Sequence, residues 1–238
     1  MVLEKRGACI GVVGTTNTGK TTTLRAIVNA NTKKRFVCYG SYDSENQWIL
    51  GHWKGETFHH EPSSLNVAET AFAKSLGEIR WLLEKRKFRN VVFCGDATID
   101  EWCKYCVENV SGVSLMLDEI DACHEIRRVV RNLPMHWTRL VSKGRHIHNM
   151  KETGLSLVWA CQKMSRVHQD VIDEQKASFM HRLASEVQRK RLQGFFEFDV
   201  DLSILGKLPK GAAYFSNQGL NFEPVTAKHL LEIGEYLP

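Results

Sequence analysis

The chain has 238 residues, which is enough to bury a full hydrophobic core without disulfides or structural metals. Hydrophobic residues make up 43% and charged residues 25%, so the composition is that of an ordinary globular protein and excludes a disordered or fibrous one. The net charge of +5 permits an anionic partner without requiring one, and no apolar stretch reaches the roughly 18 residues that predict a membrane span.

The amino terminus and the cysteines bear on the compartment. The first residues lack the long apolar core of a signal peptide, which predicts a cytosolic origin, and the seven cysteines fit that compartment as free thiols. Cys103 and Cys106 form a C-x-x-C pair, with Cys123 and His124 further along the chain, so a zinc site is one alternative. Two thiols one turn apart on a helix are the favoured interpretation.

The first predicted elements enclose a phosphate-binding motif. Residues 8–13 predict a buried strand, residues 21–30 predict a helix, and residues 14–21 between them match G-x-x-x-x-G-K-[ST]. Glycines let backbone N–H groups turn toward a polyphosphate, and the helix N-terminus adds a positive dipole end. The alternative is a glycine-rich turn in an unrelated α/β protein. The predicted ATP-binding residues are Gly14, Thr15, Thr16, Asn17, Thr18, Gly19, Lys20, Thr21 and Thr22.

Two residues of this motif have specific predicted roles. We expect Lys20 to reach the β- and γ-phosphates of ATP, and the hydroxyl of Thr21 to ligate Mg²⁺. Lys20 is therefore a candidate catalytic residue as well as a binding residue.

The next elements continue an alternating pattern. Residues 35–39 predict a strand, and residues 44–65 predict an irregular excursion in which His52, His59 and His60 are favoured as surface residues over metal ligands. Apolar residues at steps of three and four then predict a long helix over residues 67–87. Its basic end, residues 85–89, is favoured as a solvated helix end, with DNA contact as the alternative.

The remaining elements complete an α/β pattern. Strands alternating with helices predict a mostly parallel central sheet flanked by helices on both faces, with the nucleotide at the carboxyl ends of the strands. The predicted strands are residues 90–94, 113–117, 155–161 and 177–183, followed by a hairpin of residues 212–215 and 219–222. The predicted helical segments are residues 98–109, 122–133, 137–141, 164–176, 185–193 and 225–236.

An acidic pair follows the strand of residues 113–117. An apolar run leads directly into Asp118 and Glu119, the pattern expected across from a phosphate-binding loop. Asp118 would orient the magnesium shell, and Glu119 would polarise the attacking water as the general base. Asp96, at the end of the preceding strand, is a weaker candidate. A helix N-cap with an acid in the first turn is the structural alternative for the pair.

The motifs together resemble a known family. In order and rough spacing, the chain is similar to the HerA/FtsK superfamily of DNA-translocating ATPases, and the motifs concerned are residues 14–21, 115–119, 143–145, 154–162 and 208–215. The resemblance covers nearly the whole chain. It implies a RecA/FtsK-like P-loop NTPase fold with a C-terminal β-hairpin, and a single motor domain over residues 1–238.

The resemblance also implies further site residues. Gln162 occupies the position where the family senses the γ-phosphate. The arginine that reaches into a neighbouring subunit's site would be Arg145 or Arg182, and such a group neutralises charge developing in phosphoryl transfer. The chain departs from the family at Cys161-Gln-Lys-Met164, where Thr-Gln-Arg-Pro is frequent. It also departs after the second strand, where Asp43 is only a minor candidate.

A motor of this size resembles the genome-packaging ATPases of tailless, membrane-containing, double-jelly-roll viruses and phages. The implied activity is ATP hydrolysis with Mg²⁺, coupled to the pumping of double-stranded DNA into a preformed capsid by a homo-oligomeric ring, a hexamer. Capsid or packaging-vertex proteins would be partners, and the location would be the host cytoplasm or the virion. Candidate DNA-facing residues are Lys143, His146, Arg166 and Arg189 to Arg191.

Two other classes remain open at this point. One is an assembly ATPase like those of filamentous phages, which drive extrusion through a membrane, although the absence of an apolar span counts against it. The other is a nucleotide-gated switch or a small-molecule kinase without translocation.

Overall fold

A computed structural model describes residues 9–40, 52–54, 57–59, 69–127, 131–143, 155–217 and 219–226. The strands within these residues are β1 (Cys9–Val13), β2 (Arg35–Tyr39), β3 (His52–Lys54), β4 (Thr57–His59), β5 (Thr70–Ala73), β6 (Asn90–Phe93), β7 (Val113–Leu117), β8 (Ser156–Cys161), β9 (Ala177–Met180), β10 (Ala212–Asn217) and β11 (Glu223–Thr226). The α-helices are α1 (Lys20–Ala30), α2 (Leu76–Glu84), α3 (Ile99–Asn109), α4 (Met135–Lys143), α5 (Gln169–Asp173) and α6 (Glu186–Gln193).

Within the described residues one large sheet organises the molecule. Its strand order is β11-β10-β9-β1-β8-β7-β2-β6-β5. The strands from β9 to β5 are parallel, whereas β10 and β11 run antiparallel as a hairpin at one end. The mostly parallel sheet and its C-terminal hairpin, both predicted from the sequence, are therefore confirmed.

The sheet order brings three sequence motifs to one edge. β8 lies between β1 and β7, with Val13 paired to Cys161 and Leu117 paired to Trp159. Because neighbouring parallel strands end at the same edge, the segments that follow β1, β7 and β8 meet there. This edge therefore holds the phosphate-binding motif, the acidic pair and Gln162.

The hydrophobic core lies on both faces of the sheet. On one face, α1 buries Leu24 and Ile27 against Ile10 and Val158 of the central strands. On the other face, the helices after β6 and β7 bury residues that include Trp102 and Trp137. Central strands that are apolar on both faces are typical of a parallel sheet covered by helices on both sides, which agrees with the prediction.

The predicted helix over residues 67–87 is wrong at residues 70–75, and residues 67 and 68 lie outside the described residues. Thr70–Ala73 forms the edge strand β5, which pairs in parallel with β6, and α2 begins only after Ser75. Ser75 and Glu78 form a capping box, a local signal that fixes the start of the helix. The apolar residues just before Ser75 lie in a strand of only four residues. Over so short a stretch, the spacing of apolar residues does not distinguish a strand from a helix.

The predicted helix over residues 122–133 is also wrong where the structure describes it. Two short 3₁₀ turns, Ile120–Ala122 and His124–Ile126, replace its start. The guanidinium of Arg127 donates to the carbonyls of Asp121 (3.0 Å) and Ala122 (3.2 Å), so a side chain satisfies groups that a helix ladder would otherwise use. Residues 128–130 lie outside the described residues, and α4 accounts for the predicted helix at residues 137–141.

The second strand of the C-terminal hairpin begins later in the sequence than predicted. The second hairpin strand is Glu223–Thr226 rather than residues 219–222, because Gly219 adopts a φ of +70° in the turn. The Asn221 side chain accepts from the Asn217 amide (2.6 Å) and holds that turn. Residues 225 and 226 are consequently strand residues, and the remainder of the helix predicted to residue 236 lies outside the described residues.

Candidate nucleotide-binding site

The phosphate loop, residues 14–21, is fixed by both neighbouring strands. The Gly14 amide donates to the carbonyl of Cys161 at the end of β8 (3.3 Å), and the Thr15 amide donates to the carbonyl of Arg182 beyond β9 (2.9 Å). Within the loop, the Thr18 hydroxyl donates to the Thr15 carbonyl (2.7 Å). The loop therefore has a defined shape before any ligand contact is considered.

The helix after the loop begins at a position that only glycine adopts easily. Gly19, the residue before α1, has a φ of +111°, in the left-handed region. Its missing side chain also matters, because a Cβ there would lie 3.1 Å from the Cα of Gly211. The start of α1 therefore presents its free backbone N–H groups at the site, as anion binding requires.

The Lys20 side chain is held inside the loop. Its Nζ donates to the Thr15 carbonyl (3.1 Å), and only 7% of the residue is exposed. Burial lowers the pKa of Lys20, and the nearby Asp118 carboxylate opposes that shift. Lys20 and Asp118 therefore lie at the same edge of the sheet, close enough for their charges to interact.

The acidic pair follows β7 in an unusual backbone conformation. Glu119 has a φ of +52°, which is uncommon for a residue other than glycine, and its amide donates to Asp118 Oδ1 (2.9 Å). Such conformations cost about 1–3 kcal/mol and are concentrated at functional sites. Burial and then the neighbouring Glu119 charge raise the pKa of Asp118 to about 6.

Gln162 connects the acidic pair to the phosphate loop. Its side-chain oxygen accepts from the Thr16 hydroxyl (2.8 Å), and its Nε2 donates to Glu119 Oε1. The predicted γ-phosphate sensor and the predicted general base are thus in direct contact, and both touch the site that the loop forms.

Asp121 is a site residue that the sequence reasoning did not identify. Its carboxylate is buried, with Oδ1 accepting from the Gln162 amide (2.9 Å) and Oδ2 accepting from the Lys163 amide (3.1 Å). It therefore fixes the backbone that carries Gln162. The signal in the sequence was a third acid just after Asp118, but local pattern does not show that it reaches across to the end of β8.

His181 was also missed. It follows β9, is 1% exposed, and contacts Thr23 in the first turn of α1. A lone histidine after a strand carries no sequence signal, so only the sheet order reveals its place behind the phosphate loop.

The donor set at this edge fits a magnesium ion rather than a zinc ion. The predicted ligands Thr21 and Asp118 both carry hard oxygen atoms, and Mg²⁺ is usually held by one or two protein oxygens together with water and phosphate oxygens. No group of three or more His, Cys, Asp or Glu residues is placed to hold a metal in the part of the chain that the structure describes. Cys103 and Cys106 are buried in the core on α3, where burial raises the pKa of both thiols.

The other predicted site residues have different outcomes. The Arg182 side chain is exposed beside the phosphate loop, to which its carbonyl is bonded. Arg145, Asp43, His60 and His146 lie outside the described residues. His52 and His59 are paired across the β3–β4 hairpin, away from the large sheet's hydrogen-bond ladder.

Several basic residues considered for DNA contact have structural partners instead. Arg89 donates to the carbonyls of Asn31 (3.0 Å) and Lys34 (3.2 Å), which favours a structural role for this end of the basic run. Arg189 donates to the Leu183 carbonyl (2.6 Å), and Arg191 donates to a carbonyl beside α5. Arg166 is exposed and remains a candidate for DNA contact.

The sheet order and the phosphate loop at its edge define a P-loop NTPase fold. No protein-family model matches the chain, and a search of curated proteins finds no match. Among the described residues, no helix is long and apolar enough to cross a membrane.

Solved structures with the same fold come from virus genome packaging and from conjugation. The genome-packaging NTPase B204 of Sulfolobus turreted icosahedral virus 2, in complex with sulfate, has a TM-score of 0.67 and 12% identity over 92% of this chain and 96% of that chain. B204 of Sulfolobus turreted icosahedral virus, the DNA-packaging ATPase, has a TM-score of 0.61 and 9% identity over 91% and 96%.

The pCW3 conjugation coupling protein TcpA, with ATPγS, has a TM-score of 0.53 and 14% identity over 96% of this chain and 65% of that chain. At these identities the likeness is one of fold. The resemblance to HerA/FtsK-type packaging ATPases is confirmed at that level.

Proposed function

We propose that the protein is an ATP-hydrolysing DNA translocase that pumps double-stranded DNA into a preformed viral capsid. One observation carries the proposal: Lys20, the Asp118–Glu119 pair and Gln162 meet at one edge of a fold shared with packaging ATPases. B204 has been solved with ATP analogues, which supports nucleotide binding by a fold of this kind.

Each residue of the site has a defined task in this proposal. The backbone of the phosphate loop and Lys20 bind the phosphates, which places the γ-phosphate toward the end of β8. Glu119 accepts a proton from the attacking water as the general base. Gln162, already in contact with both Thr16 and Glu119, responds to the γ-phosphate.

Magnesium completes the predicted binding site. Thr21 and Asp118 would hold Mg²⁺, which neutralises charge on the phosphate oxygens during transfer. Burial and the neighbouring Glu119 charge both raise the pKa of Asp118, and a bound cation would oppose both effects.

The proposal extends to assembly. A single motor domain over residues 1–238 would form a homo-oligomeric ring, a hexamer by family resemblance, which works in the host cytoplasm and at a packaging vertex of the virion. Arg182 is exposed beside the loop and Arg145 precedes β8, so either arginine could serve a neighbouring subunit. DNA contacts would be made to phosphates and would therefore be independent of sequence and weakened by salt.

The decisive experiment measures ATP turnover with and without duplex DNA, on protein whose mass is determined by light scattering. We expect a multimer whose turnover rises with duplex DNA of any sequence and falls again as salt increases. Lys20→Ala, prepared in parallel, reports background hydrolysis. Nucleotide binding without DNA-stimulated turnover in the multimer would contradict translocation and favour a switch or a small-molecule kinase.

A second experiment addresses the arginine. Arg182→Ala and Arg145→Ala are each compared for turnover alone and in mixed rings with Glu119→Gln subunits. An arginine that acts on the neighbouring site restores turnover in mixed rings, because one mutant supplies the arginine and the other supplies the base. An arginine that acts in its own subunit gives no such rescue.

A further inference from the structure

His181 lies in a buried position between three elements. It follows β9, its ring contacts Thr23 in the first turn of α1 (2.9 Å), and its other nitrogen lies 3.0 Å from the Ala212 carbonyl at the start of β10. Only 1% of the residue is exposed. A residue so placed does not touch nucleotide, so any effect on the site must pass through another residue.

The hydrogen-bond partners fix the state of the ring. A carbonyl oxygen only accepts, so Nδ1 carries the proton and donates to Ala212. Nε2 is then the acceptor for the Thr23 hydroxyl. Burial lowers the pKa of His181 to about 4, which agrees with a neutral ring.

The surroundings of His181 are closely packed against the phosphate loop. A Cβ on Gly14 would lie 2.6 Å from the His181 Cβ, and a Cβ on Gly19 would lie 3.4 Å from its Cε1. A second link runs beside it, because the Gly211 amide donates to the Thr18 carbonyl (2.9 Å). Two separate hydrogen-bonded links therefore join the phosphate loop and α1 to the segment that begins β10.

We propose that His181 is a positioning residue: through Thr23 it sets the first turn of α1, and through Ala212 it makes nucleotide affinity depend on the attachment of β10. The inference rests on the proposed nucleotide binding. It assigns the C-terminal hairpin a role in completing the phosphate site, because β10 begins at the residue that His181 binds.

The test uses a pair of substitutions at Thr23 in the full chain. Thr23→Val removes the hydroxyl and keeps the β-branched shape, whereas Thr23→Ser keeps the hydroxyl. Losing one buried hydrogen bond should raise the dissociation constant for ADP about five- to tenfold, while turnover at saturating ATP changes less than about twofold. Thr23→Ser should restore an affinity within about twofold of the wild type.

His181→Asn removes the same hydrogen bond to Thr23 from the histidine side. An asparagine amide can occupy the position of Nδ1 and bind Ala212 but cannot reach Thr23, so its ADP affinity should match that of Thr23→Val. The double variant should bind no more weakly than either single variant, because both remove the same contact. Ser178→Ala is the matched control, since that buried hydroxyl on β9 has no hydrogen-bond partner; its ADP affinity should be unchanged.

The link to β10 has its own measurement. ADP should slow amide hydrogen exchange in residues 212–217 of the wild type and of Thr23→Ser, and this effect should be reduced in Thr23→Val. Unchanged ADP affinity in Thr23→Val and His181→Asn would overturn the inference, even if both melt at lower temperature. If Lys20→Ala also binds ADP normally, the proposed nucleotide site has failed instead.

Discussion

The two sides of the candidate site differ in how they are built. On the side toward β9 and β10, Thr18, Thr23 and His181 are almost fully buried and each has a defined hydrogen-bond partner. On the side toward β7 and β8, Glu119 is exposed and Gln162 is only half-buried. Glu119 also has a left-handed backbone, which the phosphate loop shows only at uncharged residues, Asn17 and Gly19.

Under the proposed function, this difference separates nucleotide binding from hydrolysis. The buried side holds the phosphate loop in one shape, so a ligand meets a preorganised set of donors there. On the exposed side, Gln162 contacts Glu119, and in the proposed function these two side chains respond to the γ-phosphate. The exposed position of Arg182 beside the loop also leaves room for a neighbouring subunit in the proposed ring. The predictions that follow examine whether the two sides are independent.

The largest expected effect is on the buried side. Lys20→Ala removes the only charge that the loop itself contributes, so kcat/KM for ATP should fall about 10³-fold. Nucleotide binding, followed by fluorescence of a labelled ADP, should fall with it. Lys104→Ala, an exposed lysine on α3, is the control and should behave as wild type. Normal ADP binding by Lys20→Ala would show that residues 14–21 are not the phosphate site.

The next effect concerns the exposed side alone. Glu119→Gln should leave ADP affinity unchanged and reduce ATP hydrolysis at least about 100-fold, because the amide cannot accept a proton from water. Asp96→Asn, at the alternative acidic position after β6, should hydrolyse ATP at the wild-type rate. If Glu119→Gln remained active and Asp96→Asn did not, the general base would have to be reassigned.

The elements with strong local signals were predictable from the sequence. β1, β2, β7 and β8 are short apolar runs that begin and end within one residue of their predicted bounds, because buried strands need a continuous apolar sequence. The phosphate motif likewise carries its structure in its own residues. These features explain why Lys20 and Asp118 could be predicted from the residues themselves, whereas Gln162 was predicted from the family resemblance.

What failed depends on contacts between distant residues. The segment after β7 does not continue as a helix, and Arg127 in it forms an isolated β-bridge with Val167, a residue beyond β8 that the local sequence does not indicate as a partner. Long-range contacts also explain why Asp121 and His181 were not predicted. Each acts on a residue that is far away in the chain and adjacent only because of the order of the strands.

A third prediction uses pH to examine the buried side. The folded protein holds the pKa of His181 at about 4, below its ordinary value of 6.5, through burial and then the nearby Lys20 charge, which outweigh its hydrogen bonds to backbone groups. The unfolded chain therefore takes up a proton between these values while the folded protein does not. This contribution to stability is complete above pH about 6.5 and is lost as the pH falls toward 4.

The expected size of the pH effect follows from the pKa difference. Between pH 7 and pH 5, His181 should account for a loss of about 2 kcal/mol in the free energy of unfolding. Urea unfolding at both pH values should show this loss in the wild type and in Ser178→Ala, and a smaller loss in His181→Gln. An identical pH dependence in His181→Gln would mean that the His181 pKa is the same in the folded protein as in the unfolded chain.

The smallest effect tests whether the exposed side has its own support. Asp121 accepts the amides of both Gln162 and Lys163, so Asp121→Asn leaves one of these N–H groups without an acceptor and lets Gln162 move. Turnover should fall about tenfold while ADP affinity stays the same, because the phosphate loop does not depend on this carboxylate. Asp100→Asn is the control: Oδ1 of Asp100 accepts the His136 and Trp137 amides and Oδ2 lies 3.0 Å from His136 Nδ1, so this variant disturbs a contact between α3 and α4 instead. Both variants should lose stability, and only Asp121→Asn should lose turnover.

If both slowed hydrolysis equally, the loss would reflect general destabilisation. If Asp121→Asn instead weakened ADP binding, the two sides of the site would be coupled through the end of β8, and the separation of binding from chemistry would not hold.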